Sequence, residues 1–208
     1  MAKLPNPPAV AALRLIPPQL RTLHRGTKLW RLFLAAGAHP TTWNAFRSHG
    51  PTRSRFDHHL PPPRLQARKI LYAARDVTTC FAEFFQATRT IDRRSDRPRL
   101  VEFELKRDIQ LLDLTGTWPT QAGASMAINS GPRPRAQRWS KAIYAAYPGI
   151  DGLLYASSMH ANRDAVALYE RGELAVAGRP LLHRFLKDRA MDLVVNIAAS
   201  QLKYSVVP

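Results

Sequence analysis

Five polar residues along an otherwise apolar framework have side chains whose chemistry stands out. They are Arg31, Arg55, Tyr72, Glu83 and Ser157. Arginines bind anionic oxygens through charge-assisted hydrogen bonds, a tyrosine ring can stack on another ring, and a carboxylate stabilises a positive charge that develops during bond cleavage. Together these residue types suit a ligand with two negative charges and an aromatic ring. Singly, each residue also has a simple structural interpretation.

Two of these residues, Tyr72 and Glu83, fall in a strand that is followed by a helix. The apolar run 70–74 predicts a buried strand, and Asp76 is typical of a helix N-cap. A helix is predicted over 77–85, because its apolar residues recur at i, i+3, i+4, i+7 and i+8. Such a unit can bring both side chains to one cleft.

The two arginines lie in different contexts. Arg31 lies within the apolar run 29–34, which predicts a strand, and an arginine flanked by apolar residues needs an anionic partner. Arg55 lies in a basic segment with several prolines over 49–64, which predicts a long loop. Ser157 follows a short apolar run and is most simply a strand terminus.

The remaining patterns predict more strands than helices. Further strands are predicted at 99–105, 108–114, 153–155 and 165–169, and helices at 136–147 and 191–202. We expect the strands at 99–105 and 108–114 to pair with each other as an antiparallel pair. Because many connections are too short for crossover helices, the sequence predicts an α+β domain with a mainly antiparallel, strongly bent sheet and flanking helices.

Length and composition favour one soluble domain in a reducing compartment. With 208 residues, the chain suits a peripheral proline-rich arm over 1–24 and one domain over 25–208. A single cysteine, Cys80, excludes an internal disulfide framework and a cysteine-based zinc site, so we expect a cytoplasmic protein. No segment resembles a signal peptide or a membrane span.

Several classes of site lack sequence support. There is no glycine-rich phosphate loop of the Walker or Rossmann kind and no Gly-x-Ser-x-Gly turn. The seven histidines are scattered, and the adjacent pair His58 and His59 would point apart on an extended chain, so no metal site is expected.

The charge of the chain is strongly positive and uneven. The net charge is +16, of which residues 1–70 contribute +11 with twelve Lys and Arg against Asp57 alone. A basic nucleic-acid-binding module is therefore an alternative. The chain has no continuous Lys/Arg run, helix-turn-helix or RNP-like aromatic pattern, so we favour a dianionic small ligand together with an acidic protein partner.

In order, the motifs of the chain resemble the RES domain family. The segments that carry the resemblance are Leu29-Trp30-Arg31, Ser54-Arg55-Phe56-Asp57, Leu71-Tyr72-Ala73-Ala74, Ala82-Glu83, Leu111 to Gly116 and Gly152 to Ser157. The resemblance covers roughly residues 25–205. The chain departs from the family pattern at Ser54, where glycine is usual, and at Asp57, where asparagine is usual. Leu32 stands where some members have tyrosine.

The resemblance implies a fold similar to ADP-ribosyltransferases and a toxin of a type II toxin–antitoxin pair. Such proteins consume NAD by hydrolysis or phosphorolysis, or transfer its ADP-ribose to a protein, and their usual partner is an Xre-type antitoxin. NAD is then the substrate, with no further cofactor and no metal. Protein ADP-ribosylation, and NAD binding without turnover, stay open as alternatives.

By position, the resemblance also implies roles for the five residues. Arg31, Arg55, Tyr72 and Ser157 would bind NAD, the arginines at its pyrophosphate and Tyr72 at the nicotinamide ring. Glu83 would be the central catalytic residue, with Arg31 and Ser157 contributing to catalysis.

Overall fold

The computed structural model describes residues 4–207 and shows a large sheet with helices packed against it. The strands are β1 (Leu20–Leu23), β2 (Lys28–Leu34), β3 (Arg47–Gly50), β4 (Arg64–Ala74), β5 (Thr90–Asp92), β6 (Pro98–Glu104), β7 (Ile109–Asp113), β8 (Gly152–Ala156), β9 (Asp164–Tyr169), β10 (Leu182–Phe185) and β11 (Ser205–Val207). The helices are α1 (Val10–Arg14), α2 (Val77–Phe84), α3 (Trp118–Gln121), α4 (Arg133–Ala146) and α5 (Asp192–Leu202). The strands and helices predicted from the sequence are present, although β4 begins at Arg64, well before Ile70.

Nine strands form one mixed sheet in which antiparallel pairs dominate. The order is β1-β7-β8-β9-β4-β2-β6-β10, with β3 paired to β4. Only β7 and β8 pair in parallel within this sheet, and their connection contains α3 and α4, as a parallel crossover requires. The predicted α+β class with a mainly antiparallel sheet and flanking helices is confirmed.

The β1–β2 and β6–β7 segments form one long antiparallel ribbon, which bends between β6 and β7. The β1–β2 segment runs alongside β6–β7 with the same register on both sides of the bend, since Leu23 pairs with Ile109 and Lys28 with Glu104. The prediction that the strands at 99–105 and 108–114 pair with each other is wrong. They are consecutive parts of one bent strand, so β6 pairs with β2 and β10, whereas β7 pairs with β1 and β8.

Side chains on opposite faces of the strands belong to separate apolar clusters. On β4, Ile70 and Tyr72 face a cluster that contains Trp139 and Ile143 of α4, whereas Leu71 and Ala73 face a cluster shared by β2, β6 and β9. A third cluster joins α2 and α5 to the strands β2 and β6. Helices α2 and α4 are thereby packed against the main sheet.

The proline-rich N-terminal segment is packed into the fold from Leu4 onward. Leu4 and Leu13 are buried, Trp139 Nε1 donates to the carbonyl of Pro5 at 2.8 Å, and β1 belongs to the main sheet. The prediction of a peripheral arm is therefore corrected for residues 4–24, and residues 1–3 lie outside the described part. None of the helices described is long and apolar enough to cross a membrane.

Candidate active site

The strand-to-helix unit β4–α2 places Glu83 at the far end of the helix. Asp76 is the N-cap of α2, as predicted, and its carboxylate accepts a hydrogen bond from Thr79 N at 2.8 Å. Phe81 and Cys80 are buried against the sheet, so the helix is anchored by its apolar face. Glu83, next to that face, lies in the last turn of α2 and is partly exposed.

Ser157 contacts Glu83 directly. Its hydroxyl donates to Glu83 Oε1 at 2.6 Å and accepts from Met159 N at 3.2 Å. Ser157 directly follows β8, and the loop behind it is closed by main-chain hydrogen bonds to Asn162 and Arg163. Two residues 74 positions apart in the chain are thus joined by one short hydrogen bond, which orients the carboxylate.

The protonation of Glu83 reflects its surroundings. Burial is the largest influence and raises the pKa of Glu83, and the Ser157 hydroxyl and the charges of Arg55 and Arg133 only partly oppose it. The carboxylate is therefore a stronger base than an ordinary exposed glutamate. A carboxylate with a raised pKa can both balance a positive charge and accept a proton.

Arg55 reaches the same cluster from the loop between β3 and β4. Its Nη1 donates to the carbonyl of Gly131 at 2.6 Å, just before α4. Burial lowers the pKa of Arg55, the nearby charge of Arg133 lowers it further, and the charge of Glu83 acts in the opposite sense. Arg55 forms no ion pair with a carboxylate in the described part of the chain, so its charge is free to bind an anion.

The loop that carries Arg55 is held by Asp57, one of the two departures from the family pattern. The fully buried Asp57 carboxylate accepts hydrogen bonds from Thr52 N at 2.6 Å, His59 Nδ1 at 2.6 Å and Arg47 Nη2 at 3.0 Å. Burial alone would raise the pKa of Asp57, but these hydrogen bonds and the charge of Arg47 hold it well below its usual range. Asp57 therefore shapes the loop and does not face a ligand.

Of the two neighbouring histidines, His59 belongs to this anchoring, because its Nδ1 donates to Asp57. His58 and His59 are buried, and their ring centroids lie 5.4 Å apart in a loop, so the expectation that the rings point apart along an extended chain is not met. Within residues 4–207, no group of three His, Cys, Asp or Glu side chains has metal-binding geometry.

Tyr72 supplies an aromatic wall and a hydroxyl. The hydroxyl oxygen accepts a hydrogen bond from Phe56 N at 3.2 Å, which ties β4 to the Arg55 loop. Burial raises the pKa of Tyr72, so it stays neutral at physiological pH. Tyr72 lies opposite Ala167 of the central strand β9, whose small side chain leaves room for the ring.

Arg31 is placed differently from the other four. Its Nη1 donates to the carbonyls of Trp43 at 2.8 Å and Ala45 at 3.0 Å, and burial lowers its pKa to about 10. Main-chain carbonyls thus satisfy part of the Arg31 guanidinium, and the anionic partner predicted for it stays a prediction. No hydrogen bond or ion pair links it to Glu83 among the described residues.

Sequence reasoning missed three further residues around Glu83. Tyr155 is buried on β8, its ring centroid lies 4.9 Å from that of Phe56, and burial followed by the charge of Glu83 raises its pKa. The available signal was its position two residues before Ser157, which places both side chains on one face of an extended strand. Arg133 and Gln86, described below, carried no such signal.

Two open depressions of the described surface do not include any of the five predicted site residues. One of them lies at the opposite end of α2 and is lined by Arg75, Asp76, Asp164 and residues 161–163. Its lining mixes both charges, and none of the five predicted site residues borders it. The candidate site is therefore the cluster around Glu83.

Comparison with known proteins shows the family of the chain and a similar fold. The model of the RES domain family matches residues 28–187. A chain of the crystal structure of the M. tuberculosis MbcT–MbcA toxin–antitoxin complex is similar in fold, with a TM-score of 0.56 and 16% identity over 93% of this chain and 96% of that chain. No curated protein sequence matches. Because the family match spans well over half of the sequence, the chain belongs to the RES domain family.

Proposed function

We propose that this protein is an NAD-consuming toxin that cleaves the bond between nicotinamide and ribose. The observation that carries the proposal is the Glu83 carboxylate, which is oriented by Ser157 at 2.6 Å beside an arginine without a carboxylate partner, the buried Tyr155 and the partly buried Tyr72. A basic, oriented carboxylate near an anion-binding guanidinium is what cleavage of a positively charged nicotinamide ribosyl bond requires.

The substrate would be bound through its charges and its rings. Arg55 and Arg31 lack carboxylate partners within residues 4–207, and a buried guanidinium of this kind is stabilised by an anion such as a pyrophosphate. Tyr72 and Tyr155 offer neutral aromatic surfaces on one face of the sheet, against which the nicotinamide ring would pack.

The reaction would proceed by breaking the bond between ribose C1′ and nicotinamide N1. The bonding electron pair moves to N1, so neutral nicotinamide leaves and the ribose becomes an oxocarbenium-like cation. The Glu83 carboxylate stabilises that cation. An oxygen of water or phosphate then bonds to C1′, and where the nucleophile carries a proton, the raised basicity of Glu83 allows it to accept that proton.

Ser157 would act mainly through Glu83. Its side chain is fully buried and its hydroxyl is engaged with the carboxylate, so it fixes the direction in which Glu83 points. A further contact of Ser157 with the nicotinamide ribose or carboxamide, as the family resemblance implies, is part of the proposal.

An acidic protein would neutralise the toxin. The net charge of +16 and the excess of +11 in residues 1–70 favour a negatively charged partner, and the structurally similar chain comes from a toxin–antitoxin complex. We propose an antitoxin of the Xre type as this partner.

The proposal is tested by incubating the purified protein with NAD, in buffers with and without phosphate, and following nicotinamide by chromatography. We expect release in at least one buffer, and the co-product, ADP-ribose or its phosphate ester, identifies the acceptor. Binding of NAD, seen as thermal stabilisation without any nicotinamide, would refute cleavage and favour a binding protein.

A further inference from the structure

The main chain of Glu83 is connected to α4 by a polar bridge of two residues outside the predicted five. Arg133, the first residue of α4, donates from Nη2 to Gln86 Oε1 at 2.7 Å. Gln86 in turn donates from Nε2 to the main-chain carbonyl of Glu83 at 2.7 Å. The bridge therefore ends on the backbone of the catalytic candidate.

This bridge stabilises the C-terminal end of α2. The last carbonyls of a helix have no partner within the helix, and Glu83 lies in that final turn. The amide of Gln86 satisfies one of them, and Arg133 fixes the rotamer of Gln86. The turn that directs the Glu83 side chain is thus held from outside the helix.

The segment just before α4 also contacts the loop that carries Arg55. Two residues before Arg133, the Gly131 carbonyl accepts the hydrogen bond of Arg55 at 2.6 Å. The short stretch 131–133 therefore contacts both the Arg55 loop and the end of α2. Its position sets the spacing between the anion-binding arginine and the carboxylate.

We propose that Arg133, acting through Gln86, is a positioning residue for Glu83 that fixes the end of α2 and supplies a second positive charge beside the carboxylate. The proposal rests on the proposed function, since it assigns Arg133 to the same site. Arg133 does not need to contact the substrate. Its charge also reaches the ionisable groups of the site, because it lowers the pKa of Glu83 and that of Arg55.

The charge and the bridge can be separated by substitution. Arg133→Met removes both, Arg133→Lys keeps the charge, and Gln86→Met removes the bridge while it keeps the charge. Arg138→Met is a matched control, because Arg138 is an exposed arginine of the same helix.

The first readout is the titration of Glu83 itself, followed by carbon NMR of the carboxyl signals. The chain has only five glutamates, and Glu83→Gln identifies the signal of interest. We expect Arg133→Met to move the Glu83 titration to higher pH, and we expect Arg133→Lys and Arg138→Met to leave it near that of the unmodified protein. An unchanged titration in Arg133→Met would overturn the charge component of the proposal.

The second readout is the kinetics of nicotinamide release. In Arg133→Met and Gln86→Met we expect kcat to fall about tenfold with little change in KM, as for a misplaced catalytic group. In Arg133→Met the acidic limb of the pH profile also moves to higher pH. Wild-type kcat in Gln86→Met would overturn the bridge. If the unmodified protein releases no nicotinamide while the Glu83 titration still responds to Arg133→Met, cleavage fails and the electrostatic role stands.

Discussion

At the scale of single residues, Glu83 combines a partly buried position with a hydroxyl donor and nearby positive charges. Burial raises its pKa, whereas the Ser157 hydroxyl and the arginine charges lower it, and burial prevails. Such opposition is typical of catalytic carboxylates, which have to ionise near neutral pH and remain basic. The pH dependence of both activity and stability should therefore report on this group.

Removal of the Ser157 hydroxyl should shift activity along the pH axis. Ser157→Ala deletes the 2.6 Å hydrogen bond that favours the charged carboxylate, so the pKa of Glu83 rises further. We expect the acidic limb of kcat/KM for NAD to move to higher pH, with a loss of about tenfold at the midpoint of the wild-type limb. A superimposable profile would show that Ser157 does not act on Glu83.

Glu83 should also destabilise the folded protein at neutral pH. Because its pKa in the fold lies above the ordinary value of 4.5, its contribution to stability is fully present below pH 4.5 and is lost as the pH rises through the folded-state pKa. Glu83→Gln should therefore raise the urea midpoint at pH 8 by a few tenths of a molar unit and leave it nearly unchanged at pH 4. Glu104→Gln on β6 is the control, and a lower midpoint for Glu83→Gln at pH 8 would contradict this reasoning.

The residue types in the sequence predicted some of the residues of this site. Glu83, Ser157, Tyr72 and Arg55 were all predicted, and the structure places them near one another. The hydrogen-bond partners of Arg31 could not be foreseen, since they are carbonyls of a loop whose path depends on the tertiary fold. Arg133 was missed because its contact with Gln86 joins positions 47 residues apart.

At the scale of elements, the Arg55 loop owes its shape to a buried ionic anchor. Asp57 receives hydrogen bonds from Thr52, His59 and Arg47, so three contacts to one buried carboxylate hold the backbone of the loop. A long loop can hold a functional arginine only if such contacts restrict its backbone.

Loss of this anchor should be costly. Asp57→Ala leaves buried donors without an acceptor and should lower the free energy of unfolding by about 3–5 kcal/mol at pH 7. Asp57→Asn keeps one acceptor oxygen and should cost about 1–3 kcal/mol. Urea unfolding measures both values. Equal and small losses would show that the carboxylate does not organise the loop.

The strand that delivers Tyr155 and Ser157 depends on a glycine at its start. A Cβ at Gly152 would lie 2.3 Å from the Ala167 carbonyl oxygen, so β8 and β9 approach each other closely only because no side chain is present. Gly152→Ala should cost about 1–3 kcal/mol of unfolding free energy and reduce nicotinamide release. Gly149→Ala, where a Cβ meets open space, should be close to neutral.

At the scale of the whole molecule, the ribbon formed by β1–β2 and β6–β7 decides which strands are neighbours in the sheet. The α+β class could be predicted from short connections and alternating strands, and it was confirmed. The partners of β6 and β7 could not, because pairing with β2 and β1 depends on a bend near Gly26 and Lys106 that leaves no periodic signal in the sequence. The proline-rich start of the chain similarly gives no sign that Leu4 and Leu13 are buried against α4.

The positive charge of the whole molecule agrees with the proposed anionic substrate and acidic partner. It would also support weak binding of nucleic acid, which would fall steeply with salt and would not depend on Glu83. Dependence of the activity on one carboxylate is therefore what separates the two accounts.

The most direct test is nicotinamide release by Glu83→Gln, compared with the unmodified protein and Glu104→Gln in the same assay, with NAD binding measured in parallel. We expect Glu83→Gln to bind NAD and to lose at least about a hundredfold in kcat, while Glu104→Gln stays at the unmodified rate. Full activity in Glu83→Gln would contradict the assignment of cleavage to this carboxylate.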